Sequence, residues 1–303
     1  MKRRNLYLTL VLLATIFVGC ANLEHINSFS KVTVKTLGSY NDIGYTYSLS
    51  YTNYTQQSKI YDFSPDAVNA NQLPLPRPFV DTIQQRLSEE ADKAITFYLI
   101  SIAGYFQGLA KLSDKDLVNY NFDDFGKSFK SNDKLKHELG IKNDDQVDAA
   151  TKIAKAFTDE LMGAYRKRKI TEVMINHDKD VAQSTATLKM ILERSLIPHL
   201  EADKSLVDTK YRFILSNPKI DMYSKLQLMK DYLAEQATLD TQRAQLEQLA
   251  EALDEIRDEH QKTVVELQTR KIDEKTVIRL VNEHAGSVYQ LYAGIKTLSA
   301  KSK

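Results

Sequence analysis

Leu239, Gln242, Leu246, Leu249, Leu253, Ile256, His260, Val264 and Leu267 recur at steps of three and four residues, and the sequence between them is rich in Glu, Gln and Arg. This is the seam of a coiled coil. It begins earlier, at Leu226, Met229 and Leu233, and its register slips near Gln236. A second seam runs through Val277, Leu280, His284, Val288, Leu291, Ile295 and Leu298. Between the two lies Arg270-Lys271-Ile272-Asp273, with basic residues where one helix ends and an aspartate where the next starts. Two seams with a short connection predict an antiparallel helical hairpin over residues 219–300.

The same periodicity extends upstream. Val80, Ile83, Leu87, Ala91, Ala94, Tyr98, Ile102, Tyr105, Leu109 and Leu112 mark a long helix. Residues 94–110 of it carry no charge, and Gly104 and Gly108 form a GxxxG. Such a segment either sits buried on every side in a bundle or inserts into lipid, where that spacing lets helices approach. Further stripes run Val147, Ala150, Ile153, Phe157, Leu161, Ala164 and Ile170, Val173, His177, Val181, Ser184, Leu188, Ile191. Asn143 or Asp144 is an N-cap for the first, and Pro198 is expected to kink or break the second. A short helix over 133–139 ends at Gly140. The stretch 21–60 has both a helical stripe (Leu23, Ile26, Leu37, Tyr40, Tyr47, Tyr51, Tyr54) and a Tyr- and Thr-rich alternation. It reads as a helix, with a hairpin as the competing reading. Pro74, Pro76 and Pro78 make an extended linker. The predicted fold is all-α: an elongated bundle of long antiparallel helices closed by a C-terminal coiled-coil hairpin.

Composition fits this. Gly and Pro number ten and six in 303 residues, so turns are few. Net charge is +1 with both signs interspersed, so no strong field recruits nucleic acid. With one cysteine, disulfide and cysteine-based zinc frameworks are excluded.

That cysteine, Cys20, follows a basic start (Lys2, Arg3, Arg4), an uncharged run from Leu6 to Val18, and the small Val18-Gly19 pair. This is the layout of a secretory signal, too short for a spanning helix. The sequence Phe17-Val18-Gly19-Cys20 resembles the lipobox of bacterial lipoproteins, with Phe17 where Leu is usual. The resemblance covers about the first twenty residues. It implies removal of residues 1–19, a diacylglyceryl group on the Cys20 sulfur and an N-acyl chain on its new amino terminus. Two or three chains hold a protein at a membrane where one does so only marginally. Ala21, in place of the aspartate that retains lipoproteins in the inner membrane, implies sorting to the outer membrane, facing the periplasm. The organisation expected is therefore a signal peptide at 1–19, a lipid-anchored helix at 20–64, the linker at 65–78 and the bundle at 79–303.

Candidate chemistry is sparse. There is no HExxH, GxSxG, phosphate loop or dinucleotide glycine fingerprint. Asp123 and Asp124 lack the ligand order of a calcium loop, and the basic Tyr165–Lys169 run is a solvated helix face or a contact with anionic lipid. His260 and His284 lie equally far from residue 272 on the two inward stripes, each preceded by a glutamate, Glu259 and Glu283. They are expected to face each other across the hairpin. Three roles are open for such a pair: a polar layer that fixes register, a pH-sensitive contact, or, with a carboxylate, a divalent-metal site. The register layer is preferred, and no metal or other cofactor is expected beyond the acyl groups on Cys20. The function expected is recognition rather than catalysis: a membrane-tethered envelope protein that binds or braces a protein partner, as an assembly component or a toxin-blocking immunity-type factor. Two alternatives are a membrane-active bundle that releases residues 94–110 into lipid and an enzyme of unknown class.

Overall fold

In a computed structural model, residues 21–62, 81–111, 137, 141, 144–155, 166–269 and 274–301 are described, and the account below concerns these. The signal segment, Cys20, the proline-rich linker, Asp123 and Asp124 lie outside them, as does the short helix ending at Gly140 apart from His137. The elements are α1 (Ala21–Gly38), α2 (Tyr40–Ile43), α3 (Tyr47–Asp62), α4 (Thr82–Lys111), α5 (Asp145–Lys155), α6 (Arg166–Ile191), a π turn (Leu192–Leu196), α7 (Ile197–Leu215), α8 (Met222–Thr269) and α9 (Glu274–Lys301). Every element among the described residues is helical, so the fold class is all-α.

Helix starts follow local chemistry. Asp81 Oδ1 accepts the N–H groups of Ile83 and Gln84 at 2.9 and 3.2 Å and opens α4. Asp221 Oδ1 accepts from Ser224 N–H at 3.0 Å and opens α8. Asp144 precedes α5, its carbonyl accepting from Val147 and Asp148. The start of α3 is capped from a distance: Asp92, on α4, accepts the N–H groups of Tyr47 and Ser48 at 2.8 and 3.0 Å. A carboxylate at a helix N-terminus satisfies orphan donors and opposes the macrodipole. This one also ties α3 to α4.

The N-terminal stretch is helical but not one helix. Gly44 adopts φ 69° and ends α2 in the left-handed region, where a side chain is strained. The chain turns there, so Tyr47 onward forms a separate helix. At Pro198, where a kink or a break is expected, the helix does not break. Pro198 lacks the N–H that would bond the Arg194 carbonyl, and its ring crowds that carbonyl. The backbone widens into the π turn over Leu192–Leu196, and α7 then continues from Ile197.

The core surrounds α4. Ala94, Ile95, Phe97, Tyr98, Ile102, Tyr105, Phe106 and Leu109 are all buried, and α4 packs against α1, α3, α5 and α6. Most of the apolar segment 94–110 is thus packed in the bundle, with Thr96 and Ile100 left exposed, and no helix among the described residues is long and apolar enough to cross a membrane. Ile83, near the start of α4, is exposed. The second half of α8 packs against α6 and α9, and α9 lies between α8 and α1. The Gln245 side chain donates to the Ile295 carbonyl at 3.2 Å across the α8–α9 contact. From Leu239 to Val264 the apolar seam of α8 is buried, whereas Leu226, Met229 and Leu233 are exposed.

A second buried anchor holds the α2–α3 turn. Asp203, on α7, accepts the Tyr45 hydroxyl at 2.9 Å and the Ser50 hydroxyl at 3.1 Å. Burial raises the Asp203 pKa, and the hydrogen bonds from Tyr45 and Ser50 oppose that rise.

Gly104 has open space where a Cβ would stand, with nothing within 4 Å. It is therefore not required for a close helix approach. Gly104→Ala is expected to stabilise the fold by about 0.5–1 kcal/mol, the helix-propensity difference alone. Chemical denaturation of the two proteins checks this; a loss of stability would mean that α4 is approached more closely than this packing allows.

Candidate functional site

His260 is fully buried on α8, and both of its ring nitrogens are engaged. Nδ1 lies 3.0 Å from Asp178 Oδ1 on α6, and Nε2 lies 2.8 Å from the Tyr105 hydroxyl on α4. The partners assign the tautomer. A carboxylate only accepts, so Nδ1 carries the hydrogen; Nε2 then accepts from the tyrosine O–H. Burial, the largest influence, lowers the His260 pKa against the opposing pull of Asp178, with His177 adding to the fall. Burial likewise pushes Tyr105 well above its ordinary value, so its proton stays on to be donated. The Phe106 ring packs edge-on against His260 at 6.0 Å, and Phe29 of α1 packs edge-on against Phe106 at 5.3 Å. One imidazole thus joins three helices at a level where α1 also contributes a ring.

A partly exposed set borders this layer. His177 Nδ1 lies 3.3 Å from Asp180 Oδ2, and Lys152 of α5 lies 3.6 Å from Asp180 Oδ1. Glu259, buried beside His260 in sequence, accepts from Lys262 at 2.7 Å. Neither partner of the His260 ring comes from α9. The His284 side chain lies outside the described residues, as do those of residues 274–283. No group of three or more His, Cys, Asp or Glu side chains suited to a metal ion occurs among the described residues.

One to two turns along α8 from His260, an open groove of about 610 Å³ lies beside the π turn. Lys189, Arg194, Asp254 and Arg257 line it together with Gln146 and Gln183. Its charges largely satisfy one another. Lys189 pairs with Asp254 and, at 3.4 Å, with Glu193; Arg257 pairs with Asp254 at 2.8 Å and Asp258 at 2.9 Å. The Asp254 hydrogen bond raises the Lys189 pKa, which keeps that amine protonated and unsuited to act as a nucleophile or base. The heptad spacing puts His260 on the inward face, where it is buried, but carries no sign of its partners Tyr105 and Asp178. Both lie on other helices, more than eighty residues away in the chain, and no local spacing signals them.

Two outcomes follow from this geometry. Tyr105→Phe leaves His260 Nε2 buried without its donor, and is expected to cost about 1–3 kcal/mol. His260→Leu strips the Tyr105 hydroxyl of its acceptor at a similar cost, while Asp178, a quarter exposed, can turn to water. The double variant should cost less than the sum of the two, with a coupling of about 1 kcal/mol or more in a double-mutant cycle. The pH dependence has a definite sign. His260 has a lowered pKa in the folded state, so below the unfolded value of 6.5 the unfolded chain takes up a proton that the folded chain refuses. Stability contributed by neutral His260 is therefore present above pH 6.5 and falls with acidification, by at most about 1.4 kcal/mol per pH unit. Denaturation midpoints between pH 7 and pH 5 should fall more steeply for the wild type than for Tyr105→Phe/His260→Leu.

Comparison with known proteins finds no family model, no curated protein and no solved structure that matches this chain.

Proposed function

We propose that the chain is a lipid-anchored protein of the bacterial envelope whose helical bundle binds or braces a protein partner. The observation that carries this reading is the stretch ending in Cys20: a basic start, an uncharged run, two small residues and then the chain's single thiol. An acyl-bearing sulfur accounts for a lone cysteine in an exported protein, because no free thiol is left to mispair. The architecture is compatible with such a tether. Helix α1 is described from Ala21, the residue next to Cys20 in the chain, and packs on α4 and α9. An anchor at Cys20 is thus joined to the bundle by a helix rather than by a long spacer, which limits how freely the body can reorient over a lipid surface.

Recognition is preferred over catalysis for a chemical reason. His260 and Tyr105, both perturbed by burial, face each other and are absorbed in holding helices together. The exposed groove presents a protonated lysine already paired with carboxylates. Groups that transfer protons or attack as nucleophiles need both access to a substrate and a free lone pair; the buried pair lacks the first and the protonated lysine the second.

Cell fractionation with mass spectrometry tests the proposal. The natural protein is expected in the membrane fraction with a mature N-terminus at Cys20 carrying diacylglyceryl and N-acyl groups. Cys20→Ser should release it from the membrane or leave an uncleaved precursor. A mature chain with an unmodified Cys20 would overturn the reading.

A further inference from the structure

The first turns of α8 carry an apolar face that is exposed. Met222 is 73% exposed, Tyr223 78%, Leu226 53%, Met229 50% and Leu233 62%, the greatest concentration of exposed large apolar side chains among the described residues. A monomer rarely leaves such a contiguous patch uncovered without a use for it. The same segment is well packed on another side: the Tyr232 hydroxyl donates to Asp208 of α7 at 2.6 Å, and Lys210 of α7 donates to Glu235 at 2.7 Å. Leu228 and Tyr232 lean on the core, while Leu226, Met229 and Leu233 point elsewhere.

The shape of the patch selects its occupant. Met222, Leu226, Met229 and Leu233 follow steps of four, three and four, and at 3.6 residues per turn they fall within about 60° of the helix circumference, with Tyr223 about 60° beyond the edge of that arc. That is the narrow stripe of a helix–helix seam; a helix lying in a lipid interface presents a broader apolar face. The rims of the stripe are basic. Lys225 stands on one side and Lys230 on the other, and neither has an ion pair among the described residues. In a parallel pairing of two copies of this segment, Lys225 of one helix would meet Lys230 of the other, setting like charges together. An edge of glutamate or aspartate fits instead.

Position separates the stripe from the tether. Phe29 of α1 is level with His260 through Phe106, and Gly44, farther along, is level with Gln242, whose side chain donates to the Gly44 carbonyl at 3.3 Å. The Ala21 end of α1 therefore lies toward the Thr269 end of α8. The middle of the stripe stands about 48 Å from His260 along α8, at 1.5 Å per residue, toward the opposite end. We infer that the Met222–Leu233 face of α8 is the docking surface for an amphipathic helix of a partner protein whose apolar seam is edged with acidic residues. The inference rests on the proposed partner-binding role and deepens it, naming the face and the chemistry of what it holds.

The full chain, purified in detergent, tests this by fluorescence anisotropy with two labelled 21-residue helical peptides. Both carry Leu and Ile at the seam; one has Glu on the flanking positions and the other Lys. The Glu-edged peptide is expected to bind at least tenfold more tightly. Lys225→Glu/Lys230→Glu should invert that preference, and Leu226→Ser/Met229→Ser should abolish binding of both peptides while leaving the circular dichroism unchanged, because all four side chains lie at the surface of the helix. Equal affinity for the two peptides, or saturable binding of neither, overturns the inference. So does a dimer in sedimentation equilibrium that Leu226→Ser/Met229→Ser dissolves, which would make a second copy the occupant. Binding of Cys20→Ser to phosphatidylglycerol vesicles, lost in the same double variant, would make lipid the occupant and overturn it equally. Failure here, with Cys20→Ser still released in fractionation, rejects the docking face and leaves the anchor standing.

Discussion

Most of the seventeen uncharged residues from Ala94 to Ala110 are kept from water, and the arrangement of the other helices follows from hiding them, with Thr96 and Ile100 left at the surface. Helix α4 is covered by α1, α3, α5 and α6, and its largest side chains are fully buried. With so wide a buried face, α4 becomes the axis around which amphipathic neighbours lay their single apolar stripes. Each neighbour brings one such stripe: Val147, Ala150 and Ile153 from α5, and Ile170, Val173, Val181 and Leu188 from α6. Packing of this kind, rather than intrinsic helix preference, supplies most of the stability of helices in water.

An apolar axis leaves the rotation and height of its neighbours weakly specified, because leucine packs acceptably in several registers. Two buried polar contacts remove that freedom. His260 with Tyr105 and Asp178 sets the height of α8 against α4 and α6, and Asp203 with Tyr45 and Ser50 sets α7 against the turn into α3. Sliding any of these helices by one turn would leave a buried imidazole, phenol or carboxylate without its partner, at a cost of about 1–3 kcal/mol for each group. The two sites answer acid in opposite senses. Burial holds His260 neutral, so protonation works against it; burial raises the Asp203 pKa, so protonation relieves it.

The all-α fold and most of the core were legible because burial and periodicity coincide along α4, α5, α6 and the later part of α8. What was not legible has particular causes. The split at Gly44 depends on one residue adopting a left-handed φ, and the stripe of Tyr40, Tyr47, Tyr51 and Tyr54 runs straight through it. The continuation past Pro198 depends on a wider turn whose residues, Leu192 to Leu196, differ in no visible way from those of an α-helix. The His260 site was half legible: its inward position follows from the heptad, but its partners come from α4 and α6, which no spacing within the C-terminal region could indicate.

The seam of α8 gives the plainest case of a signal that periodicity alone cannot resolve. Leu226, Met229 and Leu233 obey the same rule as Leu246, Leu249 and Leu253, yet the first three are exposed and the last three buried. The difference is one of supply. Helix α8 has 48 residues and α9 has 28, and the Gln245–Ile295 contact already brings the end of α9 level with the middle of α8. Beyond that point α7 is the packed neighbour, and it takes the side of α8 that carries Tyr232, Glu235 and Gln236. A helix with apolar positions on two sides and, among the described residues, one neighbour leaves one side exposed. Among the described residues α9 meets the later half of α8 and α7 the earlier, so heptad spacing that is identical along the seam is buried in one half and exposed in the other according to which neighbour lies alongside.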